Sequence, residues 1–143
     1  MPTWVATIAR VSVDRASGAI RVEKLTSVAD AGTIVHPDGA LAQMESATLW
    51  GLSMALYEST EIKAGQVADR NLHSYRPLRM DQVPELEIEF MRNDQMPTGL
   101  GEPAVIPVAA AIANAVYDAV GVRLRDMPLR SDTLKAALTV TVD

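Results

Sequence analysis

From Thr3 to Asp14 the chain alternates. Val5, Thr7, Ala9, Val11 and Val13 share one side of an extended backbone and Ala6, Ile8, Arg10 and Ser12 the other, which is the period-2 pattern of a strand. Asp14-Arg15-Ala16-Ser17-Gly18 carries turn residues and Ile20 to Leu25 resumes strand character, so the chain is expected to open with a β-hairpin. Pro37 and Gly39 then punctuate the sequence, with Asp38 as a candidate cap. Leu41, Met44, Ala47, Thr48, Leu52, Ala55 and Leu56 follow at three- and four-residue steps. That spacing predicts a helix ending near Tyr57, with Gln43 and Glu45 beside its apolar stripe.

Residues 58–67 suit a second hairpin around Lys63-Ala64-Gly65-Gln66, the polar stretch from Asp69 to Asp81 reads as a loop, and Leu86 to Phe90 alternates as a half-exposed strand. The run Ala104–Val120 is apolar on nearly every side apart from Asn114 and Asp118, predicting a buried helix covered in part by another chain. Gly121 stops it, Val122 to Leu129 reads as a short extended piece, and Ser131 to Leu138 forms a capped last helix. The whole is expected to be one α+β domain, residues 1–143, with a mixed or antiparallel sheet, two main helices and a short C-terminal helix.

Composition narrows the function classes. With 143 residues, 48% of them hydrophobic and 22% charged, the chain is long enough for a core of its own. A net charge of −5 and 4% aromatics argue against nucleic acid, whose phosphates need a basic face and whose bases need stacking platforms. The absence of cysteine excludes a thiolate nucleophile and any Cys-ligated zinc or iron–sulfur cluster on this chain. No stretch approaches a membrane span, and Met1-Pro2-Thr3-Trp4-Val5 lacks the basic start of an export signal. No direct membrane insertion is expected, and the compartment is cytoplasmic by default or periplasmic if a partner carries the chain out.

The most informative stretch is Gly99-Leu100-Gly101-Glu102-Pro103, directly before the Ala-rich helix. Glycines let backbone N–H groups approach a ligand, and the carboxylate is fixed at a helix start, which suits a base. The same Glu102, before a proline suited to the first turn, is equally a partner for the helix dipole. His36 and His73, the two histidines, stand in loops without clustered carboxylates and read as turn or surface residues rather than metal ligands. Arg76 and Arg79 suit structural pairing, with Asp and Glu of a partner or with an anionic pyrophosphate as other uses, Asp14 and Asp30 turn formation, Trp50 and the methionines packing or an interface, and Trp4 exposure.

The company of that stretch is specific. Val28-Ala29-Asp30-Ala31-Gly32-Thr33-Ile34-Val35-His36-Pro37-Asp38-Gly39, then Gln43-Met44-Glu45, Trp50-Gly51-Leu52, Tyr75-Arg76-Pro77-Leu78-Arg79-Met80 and Gly99 to Pro103 occur in that order. The series resembles the C-terminal part of molybdenum hydroxylase large subunits, the xanthine dehydrogenase and aldehyde oxidase family. Tyr75 to Met80 and Pro84-Glu85-Leu86-Glu87 look most like the branch of isoquinoline 1-oxidoreductase beta subunits and membrane-associated aldehyde dehydrogenases.

The resemblance implies that Glu102 matches the family's catalytic glutamate, the general base in hydroxylating an aldehyde or N-heteroaromatic carbon. It implies that the Gly99-Leu100-Gly101 backbone runs against molybdopterin and that Gln43 sits beside the pterin, with no metal ligand on this chain. Family members carry this segment at the end of a much longer chain that supplies the remaining groups around the metal. The chain alone is therefore expected to retain no cofactor. Molybdopterin would be shared with a larger partner chain, and a [2Fe–2S] group would sit on another subunit or domain. Ser46 stands where the family usually has glycine. The alternative is a non-catalytic, truncated paralogue that serves as a protein-interaction or dimerisation module, with a homo-oligomer open to the isolated chain.

Overall fold

The computed structural model describes residues 2–140; Met1 and residues 141–143 of the expected domain lie outside the described residues. Two long strands, β1 (Trp4–Asp14) and β2 (Ala19–Asp30), form the opening hairpin. Its turn is built by Asp14, whose carboxylate accepts from Ala16 N (2.9 Å) and Ser17 Oγ (2.7 Å), and by Gly18 at φ +75°. These bonds to the charged form hold the Asp14 carboxyl below its ordinary range.

The register steps once: Arg10 faces Lys24, but Val11 faces Val22, so Glu23 is an extra residue and forms a β-bulge. Through it the inward positions of β2 change from Ile20 and Val22 to Leu25, Ser27 and Ala29. Thr7 and Ser27 satisfy each other on the inner face at 2.9 Å. The three-residue step from Val22 to Leu25 in the sequence marks this phase change.

After β2 come α1 (Pro37–Leu56), the hairpin β3 (Ile62–Lys63) and β4 (Gln66–Val67), a 3₁₀ turn at Met80–Gln82, and β5 (Glu85–Phe90). The small hairpin turns on Ala64 and Gly65, both at positive φ, as expected from Lys63-Ala64-Gly65-Gln66. β5 lies parallel to β2, giving a mixed sheet in the order β1-β2-β5. Leu86, Ile88 and Phe90 turn inward and Glu85, Glu87 and Glu89 outward. Lys24 Nζ bridges Glu85 at 2.9 Å and Glu87 at 2.8 Å across that pair.

The inner face of the sheet is covered by α2 (Val105–Val120), which packs against β1 and α1, and α3 (Ser131–Val140) closes the core through Leu134 and Leu138. The α1–α2 crossing is tight because position 51 is glycine. A Cβ there would lie 2.8 Å from the Val105 carbonyl oxygen and 3.0 Å from Val108 Cβ.

Two local expectations change, at the α1 cap and in residues 122–129, and α2 is covered only in part by this chain. His36, not Asp38, caps α1, its Nδ1 accepting from Gly39 N at 2.7 Å, because Pro37 already occupies the first turn and Asp38 lies inside it. α2 is not buried all round: Val108, Ile112 and Val116 form one buried stripe, while Ile106 (80%) and Tyr117 (46%) are exposed. One sheet face and one neighbouring helix can cover only part of a helix's circumference. Residues 122–129 form no strand, although Val122, Leu124 and Leu129 are buried.

Candidate functional site

The loop before α2 is held by a set of short links. Asp30 Oδ1 accepts from Asn93 Nδ2 at 2.8 Å and from Gly32 N at 3.3 Å. Gly32, at φ +72°, passes so close to Met96 that a Cβ would stand 2.2 Å from its carbonyl oxygen. Thr33 donates to Gln95 O through both N–H and Oγ1, each at 2.9 Å, and Thr98 N donates to Ala31 O at 2.9 Å. The end of β2 and residues 95–98 are thereby zipped together. At the chain's other edge Thr3 Oγ1 donates to Gly99 O at 2.6 Å and meets Thr98 Oγ1 at 2.7 Å.

From that anchor the candidate residues follow. Leu100 tucks its side chain against the small core of Ala29, Met44, Ala47 and Ala104, which fixes the loop's height over α1. Gly99 and Gly101 are exposed, and a Cβ on either would meet nothing within 4 Å, so both stretches of backbone are open to an approaching group. Glu102 is exposed, and its carbonyl accepts from Val105 N at 2.9 Å as the chain turns into α2. Buried Ala104 seats that turn.

Gln43, exposed on the second turn of α1, lines a cleft of about 240 Å³ together with His36, Gly39, Thr33, Thr98 and Leu100. The structure brings Gln43 and Leu100 to one cleft. Gly99, Gly101 and Glu102 continue along the same loop beyond the cleft's lining. The Glu102 side chain is open to solvent, and apolar Met96 (84%) and Ile106 (80%), nearby in the sequence, are uncovered.

A larger cleft of about 780 Å³ lies at the β2 bulge, lined by Arg10, Arg21, Tyr57, Asp81 and Glu85 among others. No candidate residue borders it, and Arg10 is tied to Glu23 at 3.3 Å. Burial, and then the Asp81 charge, push the Tyr57 hydroxyl up. Tyr75 donates to Glu58, and that bond to its protonated form raises the Tyr75 hydroxyl as well. Among the described residues Arg76 and Arg79 form no ion pair with a carboxylate of this chain. Of the methionines at 44, 54, 80, 91, 96 and 127 only Met44 is buried. Thr3, Thr98 and the cleft-lining role of His36 escaped the sequence reading; only the His36-Pro37 pair carried a signal, as a helix start. No three His, Asp or Glu side chains cluster to hold a metal ion, and no helix is long and apolar enough to cross a membrane, among the described residues.

Comparison with known proteins agrees with the motif series. The molybdopterin cofactor-binding domain family matches residues 1–84. A membrane-bound aldehyde dehydrogenase of Gluconacetobacter polyoxogenes, whose name carries pyrroloquinoline quinone, is 54% identical over 94% of this chain and 18% of its own length. The isoquinoline 1-oxidoreductase subunit beta of Brevundimonas diminuta is 33% identical over 88% of this chain and 16% of its own. Among solved structures, the aldehyde oxidoreductase of Desulfovibrio desulfuricans superposes with a TM-score of 0.83 at 26% identity, over 94% of this chain and 15% of that one. The chain therefore spans less than a fifth of the length of each of these relatives.

Proposed function

The chain belongs to the molybdopterin cofactor-binding domain family, within the molybdenum hydroxylases, and from that premise we propose that residues 1–143 act as the C-terminal, glutamate-bearing domain of such an oxidoreductase. The domain works as a subunit beside, or a portion of, a larger molybdopterin-binding chain, with a [2Fe–2S] group on another subunit or domain. Its substrate is a small aldehyde or N-heteroaromatic molecule. The observation that carries this reading is the placement of Glu102 at the open end of a loop whose two glycines leave their backbone uncovered.

Molybdopterin, when bound, supplies the metal centre that accepts two electrons from the substrate carbon. The residues of this chain fit such a group: Gln43 offers an amide that both donates and accepts, and Gly99, Leu100 and Gly101 offer backbone against which a flat heterocycle can lie. Glu102 is the general base, taking the proton released as the new carbon–oxygen bond forms. A base of this kind works best when dried, because losing water raises a carboxylate toward neutral pH. The larger chain supplies that cover, since Glu102 is exposed here.

The test is elemental. Material purified through a tag on this chain from its host is assayed for molybdenum and, given the name of the 54% identical relative, for pyrroloquinoline quinone. Stoichiometric molybdenum with a larger co-purifying chain supports the reading, and Glu102→Gln then abolishes turnover while leaving molybdenum content near wild type. A metal-free species, or an active Glu102→Gln enzyme, refutes the domain role or the Glu102 assignment respectively.

A further inference from the structure

The outer face of the sheet is divided. On its charged half, Arg10 reaches Glu23 at 3.3 Å, and Ser12 and Asp14 complete the outward positions of β1. On the other half the outward positions of β1 are Trp4 (66% exposed), Ala6 and Ile8 (73%), with Val28 (36%) beside Ala6 on β2, and only Asp30 opposite Trp4 and Thr26 opposite Ile8 are polar. Isolated exposed apolar side chains are ordinary, but a contiguous strip on alternating positions of paired strands marks a contact surface. Glu89 pairs with Val28 in the register of β5 and makes no ion pair among the described residues. The strip ends at the edge nearest the candidate loop, since Thr3, next to Trp4 and alternating to the opposite face, is bonded to Thr98 and Gly99.

We infer that this half-face, Trp4, Ala6, Ile8 and Val28 with Glu89 at its border, is the seat of the remainder of the molybdopterin-binding chain, an apolar surface with a basic residue opposite Glu89. The occupant follows from length. The relatives hold more than four-fifths of their residues outside the matched segment. The inference rests on the proposed domain role. It adds where the larger chain sits: against the outer face of the sheet, at the end of β1 and β2 that carries Trp4.

The test uses the tagged chain in its host. A photo-crosslinking phenylalanine derivative replaces Ile8 or, as a control on the same face, Ser12, and the products are mapped by peptide mass spectrometry. Expected are cross-links from position 8, and not from 12, to the molybdenum-containing chain at residues outside the 143 of this sequence. In parallel, Ile8→Lys should weaken co-purification of that chain by about tenfold or more, with Ser12→Lys at wild-type level and both variants retaining the parent's circular dichroism. Cross-links from position 8 to a second copy overturn the inference. So does an unlinked position 8 in material that contains molybdenum, which leaves the domain role standing. Absence of molybdenum removes both.

Discussion

Gly32→Ala tests whether the candidate loop is held as described. The substitution places a methyl group 2.2 Å from the Met96 carbonyl oxygen and 2.9 Å from that of Gln95. Residues 95–96 must then retreat by about 1 Å to reach van der Waals separation. Two costs arise. An L-residue at φ +72° is strained by about 1–2 kcal/mol. The retreat also weakens the bonds from Thr33 to Gln95 and from Thr98 to Ala31, each contributing about 0.5–1.5 kcal/mol net. The total is about 2–4 kcal/mol, or a fall in Tm of about 6–12 °C for a chain of this size. Urea denaturation followed by circular dichroism measures the stability, and hydrogen exchange at the Thr33 and Thr98 amides locates the damage. Gly99→Ala is the control: a Cβ there meets nothing and its φ is not positive, so stability should stay within about 0.5 kcal/mol. A Gly32→Ala protein as stable as the parent, with the Thr98 amide still protected, would refute this account of the loop.

Further outcomes follow from the packing and charges. Ile112→Ala, at a fully buried position of α2, should cost about 2–5 kcal/mol by urea denaturation, whereas Ile106→Ala on the exposed side should change stability by less than about 0.5 kcal/mol. In the assembled enzyme Gly99→Ala should lower molybdenum content relative to wild type, measured beside a folded-protein signal; full loading would refute close approach at that backbone. The hydrogen bond accepted from Lys24 holds the Glu87 carboxyl below its ordinary 4.5, and donation to Glu87 and then Glu85 raises the Lys24 ammonium above 10.5. Glu87's contribution is therefore present above its ordinary value and lost as pH falls through the lowered one. That of Lys24 is present below 10.5 and lost as pH rises through its raised value. The Tm difference between wild type and Lys24→Met should be level near neutrality and shrink below about pH 4 and above about pH 11; a flat difference across the whole range would contradict the pairing.

The opening hairpin, the turn at Lys63 to Gln66 and the two main helices were legible because each rests on local chemistry: alternation, turn residues, three- and four-residue spacing. The parallel seat of β5 beside β2 was not, since Lys24 meets Glu85 and Glu87 only after a long crossover, and no local pattern encodes that pairing. The Glu23 bulge went unread although the step from Val22 to Leu25 marked it, because which partner residues face which is settled only by the pairing. α2 was legible as a helix, but its covered stripe was not. Its Ala-rich sequence shows apolar character on every side, but whether a side is covered depends on neighbours that this sequence does not contain. At the site, Glu102, Gln43 and the glycines could be singled out through the resemblance. The link that joins their segments, Thr98 N to Ala31 O, is a backbone bond and leaves no trace in side-chain identity.

The glycine at position 51 has a consequence for how the site could be tuned. Gln43 stands about two helical turns before it on α1, and Glu102 stands three residues before Val105, whose carbonyl lies over it. Gln43 therefore rides on α1 and Glu102 on the loop that leads into α2, and the two helices sit close together because position 51 carries no side chain. The spacing of the two candidate groups is set at a crossing neither of them touches. A larger residue at 51 would part the two helices and shift the amide and the carboxylate relative to each other, so a change of reactivity could arise from a position that meets neither substrate nor cofactor.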